Sequence, residues 1–541
     1  MRKNIELPQG KRTKFYRFLE IIPGMVSYLA IILLFVFSFI DPILGATYLF
    51  FIISVTLVKA VAVAYRTIQG YNVVKSAEKV DWRKRMLDLE NPHDSFERLR
   101  DTQSKEYNID QHVSNLRMMA AMEHEYPKAD KIIHAVIMTA YNEGIEVLRP
   151  SIQAVVKNTF PKEKVIFVLA YEERGGEEME KIAKTLKEEF NGVFKDFILS
   201  KHPADLPNEV IGKGPNLTFA GEILAEYVHK KKIPIENVIV TSVDSDNRMH
   251  RKYLDAVAYE FIVHPNRQRL SYQPVSLFMN NIWDAPAPTR VIAVSNSFFN
   301  VISTMRPHSL RNFASHSQPL QALEAMNFWS KRTIVEDGHQ YWRSLFFFDG
   351  DYSVLPIRIP IFQDAVLDDN IFKTVKAQFV QVRRWYYGAS DIAYVGTRLF
   401  SRKARHGMPF MPLFAKFCRL FDGHVTLAMM APIVAFGGWI PMIISSPSRT
   451  MVAYSLPAVV SIVQTVASIG LLITVLMSLR MLPPRPKKYR REKKVLMVVQ
   501  WILMPVTSIM YQSLAAFYAQ TRLMLGLYME KFDVTKKVVK K

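Results

Sequence analysis

Of 541 residues only one, Cys418, is a cysteine. An internal disulfide is excluded, a lone thiol cannot by itself make a zinc site, and the chain must be held together by packing. Acidic residues are also in short supply. There are 49 Asp and Glu against 70 Lys and Arg, which gives a formal charge of +21. No internal repeat and no low-complexity tract is visible. A removable leader is not expected: basic residues precede an apolar run near the amino terminus, but no small-residue cleavage site follows and a second run comes at once.

What is abundant is apolar sequence, 49% of the chain, and it is unevenly spread. Residues 27–40, 49–58, 425–444, 456–479 and 495–510 are dense in it. Several of these runs approach or exceed the ~18 to 20 residues that cross a hydrocarbon core. The pattern predicts a multi-pass integral membrane protein, as in a bacterial-type plasma membrane. By the positive-inside rule the basic residues 1–17 lie in the cytoplasm, and two spans turning at Asp41 and Pro42 return the chain to that side.

Between about residue 70 and residue 420 no further span occurs, and helix-like and strand-like stretches alternate, as in a cytoplasmic α/β domain. The expected division is a hairpin over 1–66, a connector over 67–130, the α/β domain over 131–420 with an interfacial segment near 398–420, and a carboxyl-terminal membrane region over 421–541. The linker 480–494, RMLPPRPKKYRREKK, sits between two spans, so anionic membrane lipid is its expected partner and nucleic acid is not. Three carboxyl-side spans would leave the Lys-rich tail 533–541 outside. Either the stretch 495–527, interrupted by Pro505, is partly interfacial or re-entrant, or the charge rule fails.

The chemistry gathers at strand ends. Within Asn237–His250, NVIVTSVDSDNRMH, a short apolar run reads as a buried parallel strand delivering Asp244 and Asp246. Two acids one residue apart at such an end converge only on something positive, and a hard cation holding a diphosphate suits them. The stretch 133–143, IHAVIMTAYNE, reads as an apolar strand ending in Thr139, Ala140, Tyr141, Asn142 and Glu143. That loop offers backbone groups and an aromatic face to a nucleotide base. A third strand closes on Glu172 and Glu173, Lys213 stands between two glycines before a helix, and Glu336 and Asp337 precede a third glycine. An Asp so placed could take a proton from a hydroxyl. On a helix, Gln381, Arg384 and Trp385 of QVRRW share one face and join an amide, a guanidinium suited to pyrophosphate and a ring suited to a sugar. Taken singly, each of these also reads as an ordinary turn or a solvated surface.

Taken in order over 132–385 and between membrane runs, AYNE, the acid-ended strand, the GK turn, DSD, the ED pair and QVRRW resemble the membrane-embedded family-2 glycosyltransferases. That group includes cellulose, chitin and hyaluronan synthases. The resemblance implies a GT-A fold (Rossmann-like, mainly parallel sheet) flanked by transmembrane helices, a nucleotide-sugar donor, Mg²⁺ or Mn²⁺, and inversion at the anomeric carbon. It places Thr139, Tyr141, Glu143 and Glu172 round the base and ribose, Lys213 near the phosphates, and Asp244 facing the donor with Asp246 as main metal ligand. Asp337 would be the base, Gln381 and Arg384 would hold the pyrophosphate, and Trp385 would line a glycan or lipid acceptor site. AYEERGG departs from the Asp-Asp-Gly type of turn at the second strand. A non-catalytic scaffold binding anionic lipid or polyanions is the reading from a different class.

Overall fold

A computed structural model describes residues 4–8, 10–444 and 451–531, with part of 452–474 described by backbone alone; the tail 533–541 and its sidedness lie outside these residues. Eight strands form one sheet: β1 (Ile133–Ala140), β2 (Val165–Glu172), β3 (Asp196–His202), β4 (Val238–Asp244), β5 (Arg248–Met249), β6 (Leu270–Leu277), β7 (His316–Pro319) and β8 (Ser353–Phe362). Their order is β3-β2-β1-β4-β7-β6-β8-β5. The first four are mutually parallel, β7 runs antiparallel to both β4 and β6, and β6 and β8 are again parallel.

The apolar runs of β1, β2 and β4 are continuous because both sheet faces are covered. Val136 and Met138 join Leu148, Met179 and Phe261 in a core on one face, while Ala135 and Ile137 join Leu217, Leu224 and Trp329 on the other. This is the α/β architecture with a largely parallel sheet expected from the sequence. Strand order reverses between β1 and β4, the place where open α/β sheets bind ligands beyond their carboxyl ends. There the register sets Thr139 opposite Asp244.

Among the described residues four helices are long and apolar enough to cross a membrane: Lys14–Ile40, Pro42–Lys79, Phe410–Phe436 and the discontinuous Lys493–Leu525. A further helix, Met451–Met481, carries the apolar run 456–479. The first two meet at Asp41, whose side chain caps the second by accepting from the Ile43 N–H at 2.9 Å. The expected boundary at 66/67 falls inside the second helix, because nothing there breaks it. Past residue 66 its buried positions Thr67, Gly70, Val74 and Ala77 continue toward the α/β domain. A Cβ at Gly70 would stand 2.6 Å from Val301 Cγ1, so glycine lets this helix pack closely on the helix Ala287–Thr304. Residues 398–420 hold the end of helix Asp391–Leu399, a turn, and the first turns of Phe410–Phe436.

The stretch 493–525 is broken as Pro505 leads one to expect. It tightens over Gln500–Leu503 and widens over Ser508–Ser513. Along its length it touches the α/β domain, the QVRRW helix and the first membrane helix. Gln500 Oε1 accepts from Arg290 at 2.6 Å, the Tyr511 hydroxyl reaches the Val375 carbonyl at 3.4 Å, and Arg17 donates to the Leu523 and Met524 carbonyls at 2.9 and 2.8 Å. The chain then returns over the sheet edge, where the Ile211 N–H donates to Glu530 O at 3.1 Å. At the amino end Glu6 accepts from the Ser330 hydroxyl at 2.9 Å, so both ends of the described chain rest on the body that carries the sheet. In a Cys418→Ser background, Gly10→Cys and Lys531→Cys are expected to react with a membrane-impermeant maleimide from the same side of sealed vesicles. Reaction from opposite faces would contradict this packing.

Candidate active site

The crevice is built from β1 and β4 outward. Glu143 folds back to accept from the Tyr141 N–H at 2.8 Å, and its other oxygen accepts from the Ser245 hydroxyl at 3.0 Å. The AYNE loop and the DSD turn are thus tied into one rim. Asp246 is buried, with one carboxylate oxygen accepting from the Asp364 N–H at 3.0 Å beyond β8. The Asn280 amide donates to its backbone carbonyl at 3.0 Å.

Lys213 opens the helix Lys213–Lys230, so its ammonium adds to the positive end of that helix. Its Nζ lies 2.6 Å from Asp244 Oδ1 and 4.0 Å from Glu336 Oε1. Burial works against the charged lysine, but Asp244, Glu336 and Asp337 outweigh it and hold its pKa above the ordinary lysine value. The glycine after it has a steric reason. A Cβ at Gly214 would meet Ser330 O at 2.4 Å and Glu336 Cβ at 3.1 Å, so any other residue would push the lysine loop off the acidic pair.

Glu336 and Asp337 begin the helix Glu336–Phe347. Asp337 is fixed by two backbone donors, the Ala314 N–H at 2.6 Å and the Gly338 N–H at 2.7 Å. Ala314 itself holds a φ of +41°, a left-handed conformation that costs about 1 kcal/mol and persists where the surroundings over-determine it. Glu336 is fully enclosed. Burial first, then the neighbouring Asp337 charge, push its carboxyl up to about 7, against the opposing pull of Lys213 and Arg384. That pull brings the QVRRW helix, Ile371–Tyr386, into the same electrostatic neighbourhood.

Between about 4.5 and about 7 the folded protein holds a proton on Glu336 that the unfolded chain has released, so this group makes stability depend on pH. Its contribution is full below the lower value and is lost as pH rises through the upper one. Melting temperature should fall over that window relative to Glu336→Gln. A constant difference between the two proteins would contradict it.

His316, in β7, closes the back of the site. Burial and the Lys213 charge lower its pKa to about 4, against the pull of Asp337, so the ring is neutral. Trp329 Nε1 points at its Nε2 at 3.4 Å, which leaves Nδ1 to donate to the Ala314 carbonyl at 3.2 Å.

Three further expected residues make contacts of their own. Gln381 accepts from the Gln378 amide at 3.2 Å. The half-buried Trp385 packs beside Val382 and Tyr511, with its ring 6.0 Å from that of Phe278. It faces the join between the sheet domain and the carboxyl-terminal helical segment. Glu172 is buried, and its Oε2 already accepts from Arg174 at 2.6 Å and lies 3.1 Å from His202 Nδ1. Any base edge reaching it competes with both.

Among the described residues no three His, Cys, Asp or Glu side chains form a cage for a cation. A hard cation that takes part of its shell from a diphosphate needs only one or two carboxylates. Asp246, with Asp244 beside it, meets that demand, although Asp244 is shared with Lys213.

The structure thus gathers Thr139, Tyr141, Glu143, Lys213, Asp244, Asp246 and Asp337 at one edge of the sheet, with Arg384 close enough to act on Glu336. His316, Asp364 and Ser245 were not singled out from the sequence. The first two come from strands or loops remote in sequence, and no spacing announces them. Ser245 lies between the two aspartates and was readable as a rim residue.

No family model matches the sequence, and no curated protein matches it. Among solved structures, similarity is found to the mannosyltransferase PcManGT from Pyrobaculum calidifontis in complex with GDP-Man and Mn²⁺, at 11% identity over 77% of this chain and 99% of that one, TM-score 0.39. S. aureus TarS 1–349 in complex with UDP-GlcNAc is similar at 11% identity over 73% and 92%, TM-score 0.35. Likeness at this level says nothing of substrate or reaction.

Proposed function

We propose that this chain is a membrane-embedded glycosyltransferase of the family-2 type. It would move a sugar, with inversion, from a nucleotide-diphosphate donor, UDP-linked in the first instance, to a polysaccharide or lipid acceptor at the cytoplasmic face of the membrane. The observation that carries the reading is the Lys213 ammonium set among Asp244, Glu336 and Asp337 at the strand-order reversal, with Arg384 acting on Glu336. A lysine at a helix start, with a guanidinium near enough to act on Glu336, suits a diphosphate, and the acids beside them suit a coordinated cation and a base.

In this reading Tyr141 offers its ring to the base while Glu143 fixes the loop. Lys213, Gln381 and Arg384 hold the diphosphate and receive the charge that develops on it as the glycosidic bond breaks. Asp337 accepts the proton of the acceptor hydroxyl as that oxygen attacks from the opposite face, and a single displacement inverts the centre. Asp246 and Asp244 would hold Mg²⁺ or Mn²⁺, which neutralises diphosphate charge when bound. Trp385 would line the acceptor path.

The test is nucleotide release by the purified protein from a panel of UDP- and GDP-sugars with Mg²⁺ or Mn²⁺. Release from at least one donor, dependent on the cation, is expected. No release from any of them removes the enzymatic reading.

A further inference from the structure

Outside the crevice, one buried polar pair belongs to none of the roles above. His339 Nδ1 lies 2.6 Å from Asp391 Oδ1, and the two side chains are 0% and 3% exposed. His339 is two residues beyond Asp337 on the same helix. Asp391 begins helix Asp391–Leu399, joined to the QVRRW helix by the single turn Tyr387–Ser390. The bond therefore runs from the helix carrying the acidic pair to the helix that follows, after that one turn, the element carrying Gln381 and Arg384.

The surroundings make this an unfavourable place for polar atoms. His339 packs edge-on against Tyr394 at 4.5 Å, and its Nε2 is buried with no hydrogen-bond partner among the described residues. Tyr394, Ile392 and Val395 form an apolar cluster around it. An aliphatic pair of similar volume would avoid the desolvation cost of a buried polar pair. What the polar pair adds is direction: a short bond fixes one helix against the other in a single register, where apolar contact allows slippage.

We propose that His339 and Asp391 are positioning residues that hold Asp337 at a set distance from Gln381 and Arg384. The proposal rests on the glycosyltransferase reading. Neither residue touches substrate. They act by keeping the base and the diphosphate clamp in step, and displacement of a catalytic group by about 1 Å can cost a hundredfold in rate.

The test compares wild type, His339→Leu, His339→Asn, Asp391→Leu and the His339→Leu/Asp391→Leu double variant. Nucleotide release gives kcat and donor KM, and UDP titration gives the number of binding sites, so that rates are counted per folded site. Each leucine variant should lose about 10- to 100-fold in kcat with donor KM nearly unchanged. The double variant should be no worse than either single one. His339→Asn, whose amide can donate from the position of Nδ1, should recover most of the rate. Wild-type kcat per site in the leucine variants, losses that track the number of UDP sites, or additive losses with no recovery in His339→Asn would each overturn the proposal while leaving the enzymatic reading intact. A wild type that releases no nucleotide would remove both.

Discussion

Asp337→Asn is expected to reduce kcat by about 10²- to 10⁴-fold, the range by which a positioned general base accelerates a reaction. The shape of the site is nearly kept, since asparagine fills the same volume at the start of the same helix. Two things change. The carboxylate that would take the acceptor proton is gone, and one of the two backbone donors, Ala314 N–H or Gly338 N–H, is left facing an amide nitrogen. Donor binding should survive or tighten slightly, because a negative charge has been removed from the neighbourhood of the diphosphate. Turnover assays beside UDP titration separate the two. A non-catalytic scaffold would keep its cellular role in this variant, and normal turnover would move the base elsewhere.

Lys213→Met should lower kcat/KM by about 10²- to 10³-fold, as loss of a preorganised charge at a leaving group does. Methionine retains much of the length and removes the cation. Asp244 then loses its 2.6 Å partner, and Glu336 loses a charge that pulls its pKa down, so it takes up a proton at still higher pH. Donor affinity, turnover and melting temperature should all fall together. An unchanged KM for every donor that wild type accepts would mean that the lysine serves only to neutralise the acids around it.

Much of this site was legible because its residues lie at the ends of elements with strong periodic signals. The apolar runs of β1 and β4 announce buried strands, and once these pair in parallel register, Thr139 and Asp244 must lie side by side. The lysine between two glycines before a helix was legible as a place for a phosphate, and Gly214 against Ser330 adds the steric reason for the second glycine. Contacts between elements distant in sequence were not readable. The left-handed Ala314 that orients Asp337, the neutral His316 behind it and the approach of His202 to Glu172 depend on loop geometry that carries no spacing signature. That one helix runs on through the expected boundary at 66/67 was hidden for a related reason. Hydropathy falls where the second helix leaves the apolar zone, but its backbone continues to Lys79 because the α/β domain takes over its buried face.

The most direct test is a cryo-electron microscopy map of the detergent-solubilised protein with UDP and Mn²⁺, with GDP in parallel. Density for the diphosphate between Lys213 and Arg384, with the cation on Asp246 and the base beside Tyr141, is the predicted result. A nucleotide bound at any other surface, with this crevice closed by side chains, would contradict the account.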